Sequence, residues 1–330
     1  MNIACKKIAF RLTLTTVLGF LGCSDDTKND LGSSEETQIV SANTSETILR
    51  IQIDNYEIPV YLSIPEGCQG QVMPAVVVMH GSDGMWTNRD PNSETMSGQF
   101  KEWQNILAEN CIVGAFVDSY SGRGVTTRTG KWRELPDNFK ISAQFERPKD
   151  ANAVLSLLQN LNYDDGSPVV TPEKIALLGF SDGGSAVAAS MLDTDRVPVD
   201  FEWTQSQNGK EYTLSNGVLP PQKKPKNGFS GAVFYYGGSV GYNYFGKHPC
   251  GSNTDGNVFY PYAPMLFQIP SNDPLTENTL CFVDMLKTKG APVESYYYEG
   301  VDHGFDFDGL PESILARKRT IEWFKELWSN

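Results

Sequence analysis

Between residues 174 and 189 an apolar run, Ile175-Ala176-Leu177-Leu178, meets the small-residue turn Gly179-Phe180-Ser181-Asp182-Gly183-Gly184. It then passes into Ser185-Ala186-Val187-Ala188-Ala189, a helix-forming run. Few backbone paths accept that order: a strand, a sharp bend, then a helix. In such a G-x-S-x-G turn the serine takes a strained conformation that stands its Oγ clear of both flanking elements. Gly179 and Gly183 are required because side chains there would collide with the turn. The following helix offers free N–H groups and a positive dipole end to a developing anion. A second match, Gly237-Gly238-Ser239-Val240-Gly241, also follows an apolar run. After it come Tyr242, Asn243, Gly246, Pro249 and Gly251, which read as loop, so Ser239 is assigned to a glycine-rich turn.

The rest of the chain alternates strands with helices. Residues 48–53 and 56–62 read as a hairpin through Asp54-Asn55, with Pro59 pointing to an edge strand. The runs 75–79, 112–117 and 175–180 are continuously apolar, as in strands buried on both faces. Further strands are expected at 232–236, 264–269 and 293–298. Helical spacing places Phe100, Trp103, Ile106 and Leu107 on one face. It does the same for Val154, Leu157, Leu158 and Leu161 after Pro148. Two more helices are expected at about 275–289, ended by Gly290, and 311–328, opened by Pro311. Residues 125–146 form a polar loop with Trp132. Residues 193–229, polar and Pro-rich with Lys223, Lys224 and Lys226, read as an insertion: a solvated loop or a cover over a site.

This order predicts an α/β class, a mostly parallel sheet with helices on both faces. In such sheets a site forms beyond the carboxyl ends of the strands. The polar residues expected there are 80–84, 118–123, Ser181, Asp273 and His303. A serine nucleophile needs a base that titrates near neutrality. Of three histidines, His303 follows the last strand, His80 is placed to shape a loop beside the serine, and His248 lies in an irregular segment. An acid must orient the imidazole. Asp273 is the candidate, against an N-cap role for the same side chain. Asp302 competes, but it adjoins the base in sequence and so is poorly placed to reach its ring. The order Ser181, Asp273, His303 suits this topology.

The amino end has Lys6, Lys7 and Arg11, then an apolar stretch from residue 12 to 21, too short to span a bilayer comfortably. It closes on Gly19-Phe20-Leu21-Gly22-Cys23, which resembles a bacterial lipobox with Phe20 in place of an aliphatic residue. Residues 1–22 are thus expected to be a lipoprotein-type signal and Cys23 a lipidation site. Residues 23–47, poor in apolar side chains, are expected to be a flexible tether, and 48–330 the folded domain. The expected location is extracytoplasmic: lipid-anchored in a bacterial cell envelope, or else periplasmic or secreted. The net charge of −13 disfavours nucleic acid and anionic lipid surfaces, so membrane contact would come only through the anchor. Cys68, Cys111, Cys250 and Cys281 allow three pairings. Cys68 and Cys111 each precede a buried strand, which favours Cys68–Cys111 and leaves Cys250–Cys281; free buried thiols are the alternative.

These pieces together resemble the dienelactone-hydrolase type of the α/β-hydrolase superfamily. The resemblance lies in Val76-Val77-Val78-Met79-His80-Gly81, in the stretch from Val117 to Gly124, in Arg147-Pro148-Lys149-Asp150-Ala151, in the turn at Ser181, in the Asp273 segment and in Asp302-His303-Gly304-Phe305. It spans about residues 48 to 328. It implies the α/β-hydrolase fold with an eight-stranded sheet and a Ser181–His303–Asp273 triad. It also implies an oxyanion hole from the backbone N–H groups of Asp182 and of Gly81 or Ser82. Secreted relatives carry cysteines at the places of Cys250 and Cys281, which supports that pair. The founding dienelactone hydrolases have a cysteine where this chain has Ser181, and a glutamate where it has His80-Gly81. Both differences point toward the serine-esterase branch.

The activity implied is hydrolysis of a small-molecule ester or lactone by acyl transfer. Peptidase or glycan-deacetylase activity on the same fold, and a non-catalytic tethered binding lipoprotein, are the alternatives. Arg123 is a candidate to bind a substrate carboxylate, against a structural ion pair. Trp86 and Trp132 are candidates to line an apolar pocket, against loop packing. No metal or cofactor signature is present, so none is expected. The sequence leaves the oligomeric state open.

Overall fold

The computed structural model describes residues 46–241, 243–251 and 254–329. The signal segment, most of the tether and Cys23 lie outside them. An eight-stranded sheet runs through the molecule. Its strands are β1 (Glu46–Ile53), β2 (Tyr56–Ser63), β3 (Met73–Met79), β4 (Val113–Val117), β5 (Val170–Phe180), β8 (Ala232–Tyr235), β9 (Met265–Pro270) and β10 (Val293–Tyr298). Across the sheet they stand in the order β1-β2-β4-β3-β5-β8-β9-β10. The pairs β1–β2 and β2–β4 are antiparallel and the rest are parallel.

Alternation along the strands separates two apolar cores. Ala75, Val77 and Met79 face one side with Val113, Ala115, Val117, Ile175 and Leu177. That side is covered by α2 (Arg147–Gln159), α3 (Asp182–Ser190) and α4 (Thr276–Thr288). Val76, Val78, Phe116, Leu178 and Phe180 face the other side. There α1 (Gly98–Glu109) contributes Phe100, Trp103 and Leu107, and α5 (Pro311–Ser329) contributes Ala316, Ile321 and Phe324. Covering both faces is what allows β3, β4 and β5 to be apolar without interruption.

Three expectations change. β2 is an interior strand, not an edge. Pro59 fits there because its pairing with β4 begins only at Val60↔Val117, and its carbonyl accepts from the Asp118 N–H. A residue's N–H and C=O point to the same side of a strand, so the missing donor falls where that ladder has ended. The 193–229 insertion is not a featureless loop. It contains a hairpin, β6 (Gln205–Gln207) and β7 (Lys210–Tyr212), whose bonds run to Leu135, Gln144 and Asn243. The "polar" loop at 125–146 buries Phe139, Ile141 and Phe145. The cysteines pair as Cys68–Cys111 and Cys250–Cys281, with Cα atoms 5.8 and 5.0 Å apart.

Candidate active site

Ser181 ends β5 and precedes α3 with φ 53° and ψ −118°, a backbone state costing of order 1–3 kcal/mol. Its neighbours hold it there. The Ser181 N–H donates to the Tyr235 carbonyl at 3.0 Å, and its own carbonyl accepts from Ser185 at 3.1 Å. A Cβ on Gly179 would overlap the Gly183 carbonyl. One on Gly183 would overlap the carbonyls of Met79 and His80. Gly183 is therefore needed less by its own turn than by the end of β3, which lies against it. The second glycine turn follows β8 and leads into no helix. It packs behind the bend, where the Ser185 hydroxyl donates to the Gly237 carbonyl at 2.8 Å.

The three predicted residues meet. His303 Nε2 lies 2.9 Å from Ser181 Oγ, and His303 Nδ1 lies 2.6 Å from Asp273 Oδ2. A carboxylate only accepts, so Nδ1 carries the ring proton and Nε2 presents its lone pair to the serine hydroxyl. Asp273 is buried, whereas the His303 side chain is 39% exposed. The Asp273 carboxylate also accepts from the Leu275 N–H at 2.8 Å through Oδ1. That bond closes a turn ahead of α4, whose N-cap is Leu275 without a side-chain cap, so Asp273 is not the N-cap that was its alternative role. Asp302 is exposed.

The 80–82 turn lies beside the serine, since a Cβ on Gly81 would stand 3.3 Å from Ser181 Cβ. Asp182 is the first residue of α3, so its N–H has no partner within the helix. Its carboxylate is buried. Burial alone would raise its pKa, but the charges of Arg128 and Arg147 outweigh that and hold it below the usual range. His80 is wholly buried, and burial followed by the Arg147 charge pushes its pKa down to about 4. It is a neutral wall of the turn, not a rival base.

Two candidates are corrected. Arg123 is buried and bidentate to Asp150 at 2.7 and 2.8 Å, with a third bond to the Ser119 carbonyl, so its fork is filled by the protein. Trp86 is buried, and its indole N–H is held by Asp118. The cavity it lines, about 310 Å³ beside Ile48, Arg50 and Pro59, includes none of Ser181, Asp273 or His303. Trp132 packs against the small cluster of Tyr120, Val125 and Ile141. Sequence reasoning missed Arg128, Tyr236 and Asp306, and placed Tyr120 past a strand end without giving it a role. The Tyr236 ring lies 4.6 Å from that of His303, and its hydroxyl donates to Asp306. Only Asp306 had a signal: an acid three residues past His303, set between Phe305 and Phe307.

The order of the eight strands defines the α/β-hydrolase fold, with Ser181, His303 and Asp273 in one hydrogen-bonded line past the ends of its strands. Solved structures of that fold superpose along most of the chain. One, assigned as a dienelactone hydrolase of Klebsiella pneumoniae, matches at 17% identity and a TM-score of 0.55, covering 85% of this chain and 98% of its own. Esterase 2 of Thermogutta terrifontis matches at 17% identity and a TM-score of 0.52, over 86% and 93%. A dienelactone hydrolase-like promiscuous phosphotriesterase from metagenomic libraries matches at 16% identity and a TM-score of 0.54, over 86% and 99%. No protein-family model matches the chain, and no curated protein matches its sequence.

Proposed function

We propose that this protein is a serine hydrolase that cleaves a carboxylic ester or lactone through an acyl-enzyme on Ser181. The observation that carries the proposal is the unbroken hydrogen-bond line from Asp273 through His303 to Ser181 Oγ, on a serine whose backbone is held in the strained bend. His303 takes the Ser181 proton as Oγ attacks the carbonyl carbon. The N–H groups of Asp182 and of the 81–82 turn receive the oxyanion, and losing one such donor would cost about 3 kcal/mol of transition-state stabilisation. His303 then protonates the leaving alcohol, and water, deprotonated by the same imidazole, releases the acid. The reading gains support from its neighbours in fold. Among them is the Thermogutta terrifontis esterase, which has also been described phosphorylated by paraoxon.

The test is labelling of the purified protein with a fluorophosphonate, with the adduct located by peptide mass, beside turnover of a small aryl ester. An adduct on Ser181 and loss of turnover in a folded Ser181→Ala variant are expected. A folded protein that neither labels nor hydrolyses would return the binding-lipoprotein reading. The proposed location is the bacterial cell envelope, with Cys23 lipidated. Its support is the sequence of the first 23 residues together with the two disulfides. Membrane association that survives Cys23→Ala would refute the anchor.

A further inference from the structure

The two halves of the oxyanion pocket come from different elements, the turn after β3 and the N-terminus of α3. Their donors act on one oxygen only if their spacing is held to a fraction of an ångström. The β3–β5 ladder ends at Met79↔Gly179, so the sheet does not tie residues 80–82 to residue 182. Side chains do. Arg147 gives one nitrogen to Asp182 Oδ2 at 2.7 Å and another to the His80 carbonyl at 2.6 Å. Arg128 gives its main-chain N–H to the Ser82 carbonyl at 2.8 Å, and its guanidinium pairs with Asp182 Oδ1. Each arginine thus joins the Asp182 carboxylate to a carbonyl of the turn. The Tyr120 hydroxyl adds a third donor to Asp182 at 2.8 Å.

From this geometry we infer that the Asp182 carboxylate, gripped by Arg128 and Arg147, is a clasp that sets the spacing of the oxyanion donors. Both arginines are then positioning residues. The inference rests on the function proposed above. Burying the Asp182–Arg147 pair, with Arg128 half-buried beside it, is a costly way to gain stability alone, since apolar packing of the same volume often does as well. What the charged groups add is direction: the Arg147 guanidinium fork fixes Asp182 and the His80 carbonyl in one plane, and Arg128 pins the other carboxylate oxygen. Arg128 is the informative member. It comes from an irregular loop and its side chain is 36% exposed, whereas that of Arg147 is fully buried. Its substitution loosens the clasp without emptying the core.

The experiment compares Arg128→Gln and Arg128→Lys with wild type and Ser181→Ala, using the full-length protein and an aryl ester. It also measures inhibition by a trifluoromethyl ketone, which forms a tetrahedral adduct with an active serine. Arg128→Gln should lower kcat roughly tenfold and leave KM within about twofold, because the lost interaction matters in the transition state. The ketone should weaken by about the same factor, which a merely structural role would not produce. Arg128→Lys, which keeps the charge and one donor to Asp182 but loses the planar guanidinium, should fall between. Unchanged kcat in folded Arg128→Gln, or a rise in KM alone, would overturn the clasp. If the Gln variant does not fold, the Lys variant is judged by the same split. An inactive Ser181→Ala beside a fully active Arg128→Gln would remove the clasp and keep the hydrolase. Wild-type turnover in Ser181→Ala would remove both.

Discussion

Asp306 stands behind the His303 loop, and among the described residues no cation pairs with its carboxylate. Gln99 Nε2 reaches both oxygens at 3.0 Å, Trp103 Nε1 donates at 2.8 Å, and the Tyr236 hydroxyl completes the set. Arg317 donates instead to the main-chain carbonyl of Asp306 at 2.9 Å. Burial lifts this carboxyl from its ordinary 3.8 to about 6, and the three neutral donors pull it back only in part. Between those two pH values the folded protein holds a proton that the unfolded chain has released, so stability falls as pH rises through the window. A gap of about two pH units corresponds to about 3 kcal/mol. His80 works in the opposite sense. Its folded pKa of about 4 lies below the ordinary 6.5, so its contribution to stability rises over nearly the same window, again by about 3 kcal/mol. The two slopes largely cancel in the wild type and should separate in the variants. Urea unfolding from pH 4 to 8 at fixed ionic strength is the assay. Relative to Asp306→Asn, the wild type should lose about 3 kcal/mol between pH 4 and 7. Relative to His80→Asn it should gain about as much. In the Asp306→Asn variant the new amide turns an N–H toward one of the three donors, which adds a constant offset and not a slope. A wild-type minus Asp306→Asn difference that is flat with pH would refute the reasoning.

Three further outcomes follow from the geometry. Asp273→Asn should lower kcat by about 10⁴-fold, as loss of the orienting acid does in a serine triad. Asp302→Asn, at an exposed position, should stay within about twofold on the same aryl ester, and the reverse ranking would exchange the two acids. Arg123→Gln should cost about 3–5 kcal/mol in urea unfolding by leaving Asp150 buried and unpaired. It should not change the preference between anionic and neutral esters, and a selective loss with anionic esters would return Arg123 to the substrate site. Gly183→Ala should cost about 1–3 kcal/mol and reduce kcat, because its methyl must push α3 away from the end of β3. An unaltered melt with full kcat would mean that the turn has room.

Much of this molecule was legible in the chain because its signals are local. Glycines at 179 and 183, an apolar run on one side and small helix formers on the other mark the bend at Ser181 within a dozen residues, although Tyr235 and the end of β3 help to hold it. The alternation of strand and helix patterns fixes the sheet class, and that class puts Asp273 and His303 past strand ends. The assignments that changed concern groups whose partners lie far along the chain. An arginine following a strand reads the same whether its fork is open or filled, and only packing showed that Asp150 fills Arg123 from 27 residues away. Pro59 reads as an edge residue until the length of the β2–β4 ladder is known. No local pattern marks Arg128 and Arg147 as arms of one clasp, or Asp306 as a carboxylate behind the histidine loop. Backbone conformation is set largely by neighbours in sequence, so the sequence alone determined the bend, the sheet class and the order in which Ser181, Asp273 and His303 follow their strands. Desolvation and ion pairing are set by neighbours in space, so only the tertiary structure decided which charged side chains stay open to solvent and which hold the frame.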